Sequence, residues 1–190
     1  MKVSERNVLL IRNALGATTL AGAASGRAAA AKLQAAMANR LDPLVLDFTG
    51  MELITASAFR EAVLSVMRWA ANDGRPCLLA NVGEVTREEG LIAAAQAESI
   101  LLFCRLHASA IGQVEAVGPL DAKLETTLRL VLRLGEADAK AIGDASGEDT
   151  VTTAWNNRLV ALTRMCLLTE RKVGKTKYYS AVVKGMSYGK

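Results

Sequence analysis

Short apolar runs alternate with segments of helical periodicity through the first 106 residues, and that alternation narrows this half of the chain to a sheet covered by helices. Residues 44–48 (LVLDF) lie between Pro43 and Thr49-Gly50, and residues 76–82 (PCLLANV) and 100–106 have the same texture. Runs this short and this apolar suit buried strands. Residues 7–12 read as a further short strand. Between them the spacing predicts a helix over 26–38, with Ser25 as its N-cap. A second helix is predicted over 56–71, where Phe59, Val63, Val66, Met67 and Ala70 recur at helical spacing before Asn72-Asp73-Gly74. A third covers 87–97. These elements define an α/β domain over residues 1–106.

Residues 107–118 have weak periodicity, two glycines and a following proline, and read as a linker. From Pro119 the texture changes. Leu120, Leu124, Leu128 and Val131 mark one face of a helix that starts at Pro119 and ends at Gly135. A shorter helix follows over 136–145, then a turn over 146–149. The next helix, 150–164, carries Trp155, Leu159 and Leu162 on one stripe. Two strand-like runs, 167–173 and 177–183, flank Gly174-Lys175-Thr176. The second domain, 119–190, is thus helix, helix, turn, helix, strand, loop, strand.

Charge separates the two parts. The whole chain carries +4, yet between Thr150 and Lys190 there are eight basic residues against Glu170 alone. A basic C-terminal unit on a mildly acidic body is the footprint of nucleic-acid contact, although a solvated face would have the same composition. With Trp155, Leu159 and Leu162 turned inward, Thr152, Thr153, Asn156 and Asn157 are left outside near the helix start, with Arg158 beside them. Asn and Thr suit base edges, Asn pairing bidentately with adenine. Arg171, Lys172, Lys175 and Lys177 flank the hairpin tip, where phosphates would be met.

The stretches EADAKAIGDAS and TTAWNNRLVALTRMCLLTERKVGKTKYYSAV resemble the winged helix-turn-helix repressors, such as the arsenic- and antibiotic-resistance regulator families. The resemblance implies a helix in the major groove, a wing on the backbone and a homodimer reading two half-sites of double-stranded DNA. In the first half, SGRAAAAKL, LVLDFTGMELITASAFREAVL and PCLLANV resemble the STAS-like domains related to anti-sigma factor antagonists. That family's Asp-Ser-Ser-Gly segment falls here on Thr55, Ala56, Ser57 and Ala58, so only the phosphorylatable serine, Ser57, is kept. Ser57 therefore has two readings, a phosphoacceptor or a helix cap. The resemblance implies docking of a protein partner, such as an anti-sigma-like kinase, rather than chemistry.

Other leads carry less. Cys77, Cys104 and Cys166 are scattered and odd in number, and the sole histidine, His107, has no partner in its local sequence. Neither a metal site nor a disulfide framework is expected, and a reducing cytoplasm suits the chain. Gly174-Lys175-Thr176 lacks the preceding glycine and the following helix of a P-loop. Asp47 at a strand end has no local catalytic companion. Arg12 and Asn13 interrupt the N-terminal apolar stretch, which argues against a signal peptide, and no run reaches membrane-spanning length. The expectation is a non-enzymatic DNA-binding transcriptional regulator without cofactor. The alternative is a partner-switching scaffold whose winged helix binds protein.

Overall fold

A computed structural model describes residues 1–148 and 150–189. The main sheet is built from β1 (Val8–Leu10), β3 (Leu44–Asp47), β5 (Cys77–Ala80), β6 (Leu101–His107), β7 (Ala110–Val117) and β11 (Ser187–Gly189), adjacent in that order. The first four run parallel, β7 is antiparallel to β6, and β11 is parallel to β7. This is an α/β fold on a mixed, largely parallel sheet. A minor parallel pair joins β2 (Thr19–Leu20) to β4 (Leu53–Ile54).

Period-two alternation divides the strand residues between two cores. Leu44 and Leu46, Cys77 and Leu79, and Leu101 and Phe103 enter one cluster. Their neighbours Val45, Leu78, Ala80, Leu102 and Cys104 enter the other. The first face is covered by α1 (Ile11–Leu15), α2 (Ala23–Met37), a continuous helical stretch and α5 (Glu84–Gln96). The stretch consists of α3 (Ala56–Phe59), a π-helical turn (Arg60–Leu64) and α4 (Ser65–Asn72). Parallel strands enclosed on both faces explain the uninterrupted apolar runs in the sequence.

The second cluster also contains the residues that follow Pro119. They form α6 (Ala122–Leu134), β8 (Glu136–Ala137), α7 (Ala139–Ser146), α8 (Thr152–Arg164), β9 (Leu168–Val173) and β10 (Thr176–Ala181). Leu128 and Val131 of α6, Ile142 of α7, and Trp155, Leu159 and Leu162 of α8 are fully buried in it. The strands form a second sheet in the order β8-β10-β9.

Several boundaries differ from those read in the sequence. Residues 110–117, expected as part of a linker, form β7, whose inward Val114 and Ala116 alternate with polar Gln113 and Glu115. That is the signature of a half-covered strand, and Gly112 blurs it. Gly118 ends β7 with φ +141, where a Cβ would lie 2.5 Å from the Ser99 carbonyl oxygen. Only glycine fits this corner. Asp121 caps α6 by accepting from the amides of Lys123 and Leu124, so the helix begins past Pro119. Asp138 does the same for α7 through Ala141, which leaves Glu136 and Ala137 free to pair with β10. Ser25 lies inside α2, whose N-cap is Gly22. The turn expected over 146–149 is described through Glu148, and residue 149 lies outside the described residues.

Candidate nucleic-acid interface

The stripe that α8 turns away from its core follows from the stripe it buries. Trp155, Leu159 and Leu162 are fully buried. Opposite them, at spacings of four, three and four, stand Thr153, Asn157, Val160 and Arg164. Thr153, Asn157 and Arg164 are exposed and Val160 is half-buried. Thr152 is exposed as well, at the first helical position. Arg164 was not among the residues singled out from the sequence. Its position seven after Asn157 was the available signal.

Two expected members of this surface have other work. Asn156 is half-buried, and its Oδ1 accepts from the Tyr179 hydroxyl across 3.3 Å. Arg158 lies off the outward stripe, its side chain only 14% exposed. Its guanidinium sits 4.3 Å from the centre of the Trp155 ring and 3.8 Å from the Glu148 carboxylate. Arg158 therefore covers the core tryptophan.

Strand register sorts the basic residues of the hairpin. Lys172 faces Lys177 across the β9–β10 pair, Glu170 faces Tyr179, and Leu168 faces Ala181. Directly opposed residues share a face. Buried Tyr179 fixes that face as the one toward α8, so Lys172 and Lys177 lie on the α8 side of the hairpin. Arg171 pairs with Tyr178 on the opposite face. There its Nε and Nη2 donate to Glu136 at 3.0 and 2.8 Å, and its guanidinium lies over Tyr178. This hydrogen bonding is the main reason the Glu136 carboxyl is held below its ordinary pKa. Arg171 thus lies on the side of the hairpin away from α8. Lys175 is exposed in the tip turn. Lys177 reaches α8's side but donates to Glu170 at 3.0 Å.

The remaining candidates are accounted for individually. Ser57 is half-buried within α3, after the N-cap Thr55, so it is not the cap. The first amide of that helix, Ala56 N, donates to the Glu89 carboxylate of α5. Asp47 accepts from the Thr49 hydroxyl and from Asn81 Nδ2, tying together the carboxyl ends of β3 and β5. The three cysteines are free and buried, and burial pushes the Cys77 and Cys104 thiols up to about 12 and about 11. His107 is exposed at the end of β6. Among the described residues no group of three or more His, Cys, Asp or Glu side chains is placed to hold a metal. Among them also, no helix is long and apolar enough to cross a membrane. No protein family matches this chain, and no curated protein or solved structure matches it.

Proposed function

We propose that the chain is a DNA-binding transcriptional regulator in which residues 119–190 act as a winged helix and the preceding α/β part, of STAS-like type, receives a signal through a protein partner. The observation that carries this reading is the pairing of two exposed features in one C-terminal unit. The outward stripe of α8 (Thr153, Asn157, Val160, Arg164) is mostly exposed and polar, and the hairpin packed on α8 through Tyr179 and Asn156 exposes Lys172, Lys175 and Lys177 on its α8-side face and tip. Polar side chains on an exposed helix face suit base edges in a major groove, and lysines nearby suit phosphates. The element order, with a short strand after the first helix completing the β8-β10-β9 sheet, supports the winged-helix reading. Two copies reading two half-sites complete the proposal.

The reading is tested by binding to a mixed pool of genomic double-stranded fragments across a salt series, with Lys172→Glu/Lys175→Glu as control. A regulator recovers a preferred sequence, with affinity that falls steeply with salt and falls further in the control. Sequence-blind binding that vanishes at physiological salt would turn the reading toward the scaffold alternative, for which a protein complex formed by the full chain is the positive result.

A further inference from the structure

The register of the hairpin carries a finer statement about its phosphate contacts, one that rests on the DNA-binding reading above. We propose that Lys172 and Lys177 form a site for one DNA backbone phosphate, and that Glu170 occupies this site in the free protein until the phosphate displaces it.

Lys172 and Lys177 are directly opposed on neighbouring strands with their side chains on one face. Like charges so placed repel, and an anion between them removes the repulsion. Glu170 supplies that anion from the next same-face position of β9, its carboxylate 3.0 Å from Lys177 Nζ. One carboxylate leaves the pair half-neutralised, because Lys172 has no ion-pair partner among the described residues. Glu170 is also linked to the helix. It faces Tyr179 in the register, and the Tyr179 hydroxyl donates to Asn156 of α8. A phosphate arriving at the lysines thus meets a carboxylate on the strand face that Tyr179 joins to α8.

The far face of the hairpin provides a built-in comparison. Glu136 pairs there with Arg171, at 3.0 and 2.8 Å, in an arrangement turned away from α8. Neutralising either glutamate adds the same charge to the same small sheet. Only Glu170 releases a lysine beside α8.

The experiment compares the full chain with Glu170→Gln, Glu136→Gln, Lys177→Gln and Lys177→Gln/Glu170→Gln, measuring affinity for a mixed-sequence DNA duplex across a salt series. Thermal unfolding checks that each variant is folded. Glu170→Gln is expected to tighten binding about fivefold at low salt. Its log–log salt dependence should stay close to that of the unchanged chain, since the same one phosphate is neutralised in both and the gain comes from not having to displace a carboxylate. Glu136→Gln should change affinity by less than about twofold, and Glu170→Gln should gain nothing once Lys177 is gone. Equal gains from the two glutamate variants, or no gain from Glu170→Gln, would overturn the site while leaving DNA binding standing. Absence of duplex binding by every variant at low salt would overturn both.

Discussion

The Tyr179 hydroxyl donates to Asn156 Oδ1 across 3.3 Å, joining the middle strand of the hairpin sheet to α8. Tyr179 is fully buried, so this bond lies at the base of the hairpin and not on its surface. It sets the angle between the helix that would read bases and the lysines that would hold the backbone. A binding surface assembled from two elements needs such a rigid joint, because freedom between them is lost on binding and weakens affinity.

Tyr179→Phe keeps the ring and removes the joint. The cost should be about 1 kcal/mol, or about 2–4 °C in melting temperature for a chain of this size. The pH dependence separates this from simple loss of packing. Burial, with the Glu170 carboxylate adding to it, pushes the Tyr179 phenol from 10.0 up to about 12. The folded state thus holds the proton more tightly than the unfolded one. Stability from this group is present below pH 10 and is lost as pH rises towards 12. The buried thiols Cys77 and Cys104 begin the same decline near pH 9. Urea titrations from pH 8 to 11.5 should show a shallower fall for Tyr179→Phe above pH 10 and an unchanged one below it.

Asn157 and Arg158 are sequence neighbours with different assignments. Asn157→Ala should leave stability nearly untouched and relax sequence preference at one base position, by about 1–3 kcal/mol of discrimination if the contact is bidentate. Arg158→Ala should do the reverse. It uncovers Trp155, costs about 1 kcal/mol of stability and shifts tryptophan emission, while affinity per folded molecule changes little. A loss of affinity in Arg158→Ala that exceeds the Lys172→Glu effect would contradict this division.

The strands near the sheet centre were legible because burial on both faces leaves an apolar run with no other use. Val45 and Leu46 show this, since they enter different cores. β7 and β11 were not legible. β7 has a polar outward set and a glycine, and β11 has only Ser187, Tyr188 and Gly189, with Tyr188 hydrogen-bonded to the Gly118 carbonyl 70 positions away. Nothing local announces such a return. In the candidate interface, helical spacing was enough for Thr153 and Asn157. It could not separate Arg171 from Lys172, because which strand face meets α8 depends on the β10 register. Nor could it show that Glu136 would claim Arg171 from 35 positions away.

Ser57 gives a sharp test of phosphoregulation in the α/β part. A negative charge at a helix start is ordinarily favourable. Here the Glu89 carboxylate already accepts from the first amide, Ala56 N. Ser57→Glu should therefore lower the melting temperature by about 2–4 °C, an electrostatic cost on the order of 1 kcal/mol, while Ser57→Ala stays close to wild type. Adding Glu89→Gln should recover part of the loss. A Ser57→Glu variant as stable as wild type would mean that the Glu89 carboxylate does not oppose a negative charge at this position.

Gly118 joins the main sheet to the C-terminal unit, and its replacement tests how tightly the two are fastened. At Gly118→Ala the new methyl would lie 2.5 Å from the Ser99 carbonyl oxygen and 3.1 Å from Ile100 Cα and Cδ1, at φ +141. Backbone strain of about 1–3 kcal/mol adds to overpacking of similar size, so the expected loss is about 3 kcal/mol or more. Gly74→Ala is the control. Its φ of +67 is also left-handed, but a Cβ there meets nothing within 4 Å. That variant should lose only about 1 kcal/mol. Urea denaturation followed by tryptophan emission reads both sides of the corner, because Trp69 lies in α4 and Trp155 in α8. Since the second core runs from Val45 and Leu78 of the sheet to Trp155, the two probes should report one transition that shifts as a unit in Gly118→Ala. Separation into two transitions, with only one moved, would mean that the shared core does not couple the parts and that a signal received by the α/β part has no packed route to the hairpin.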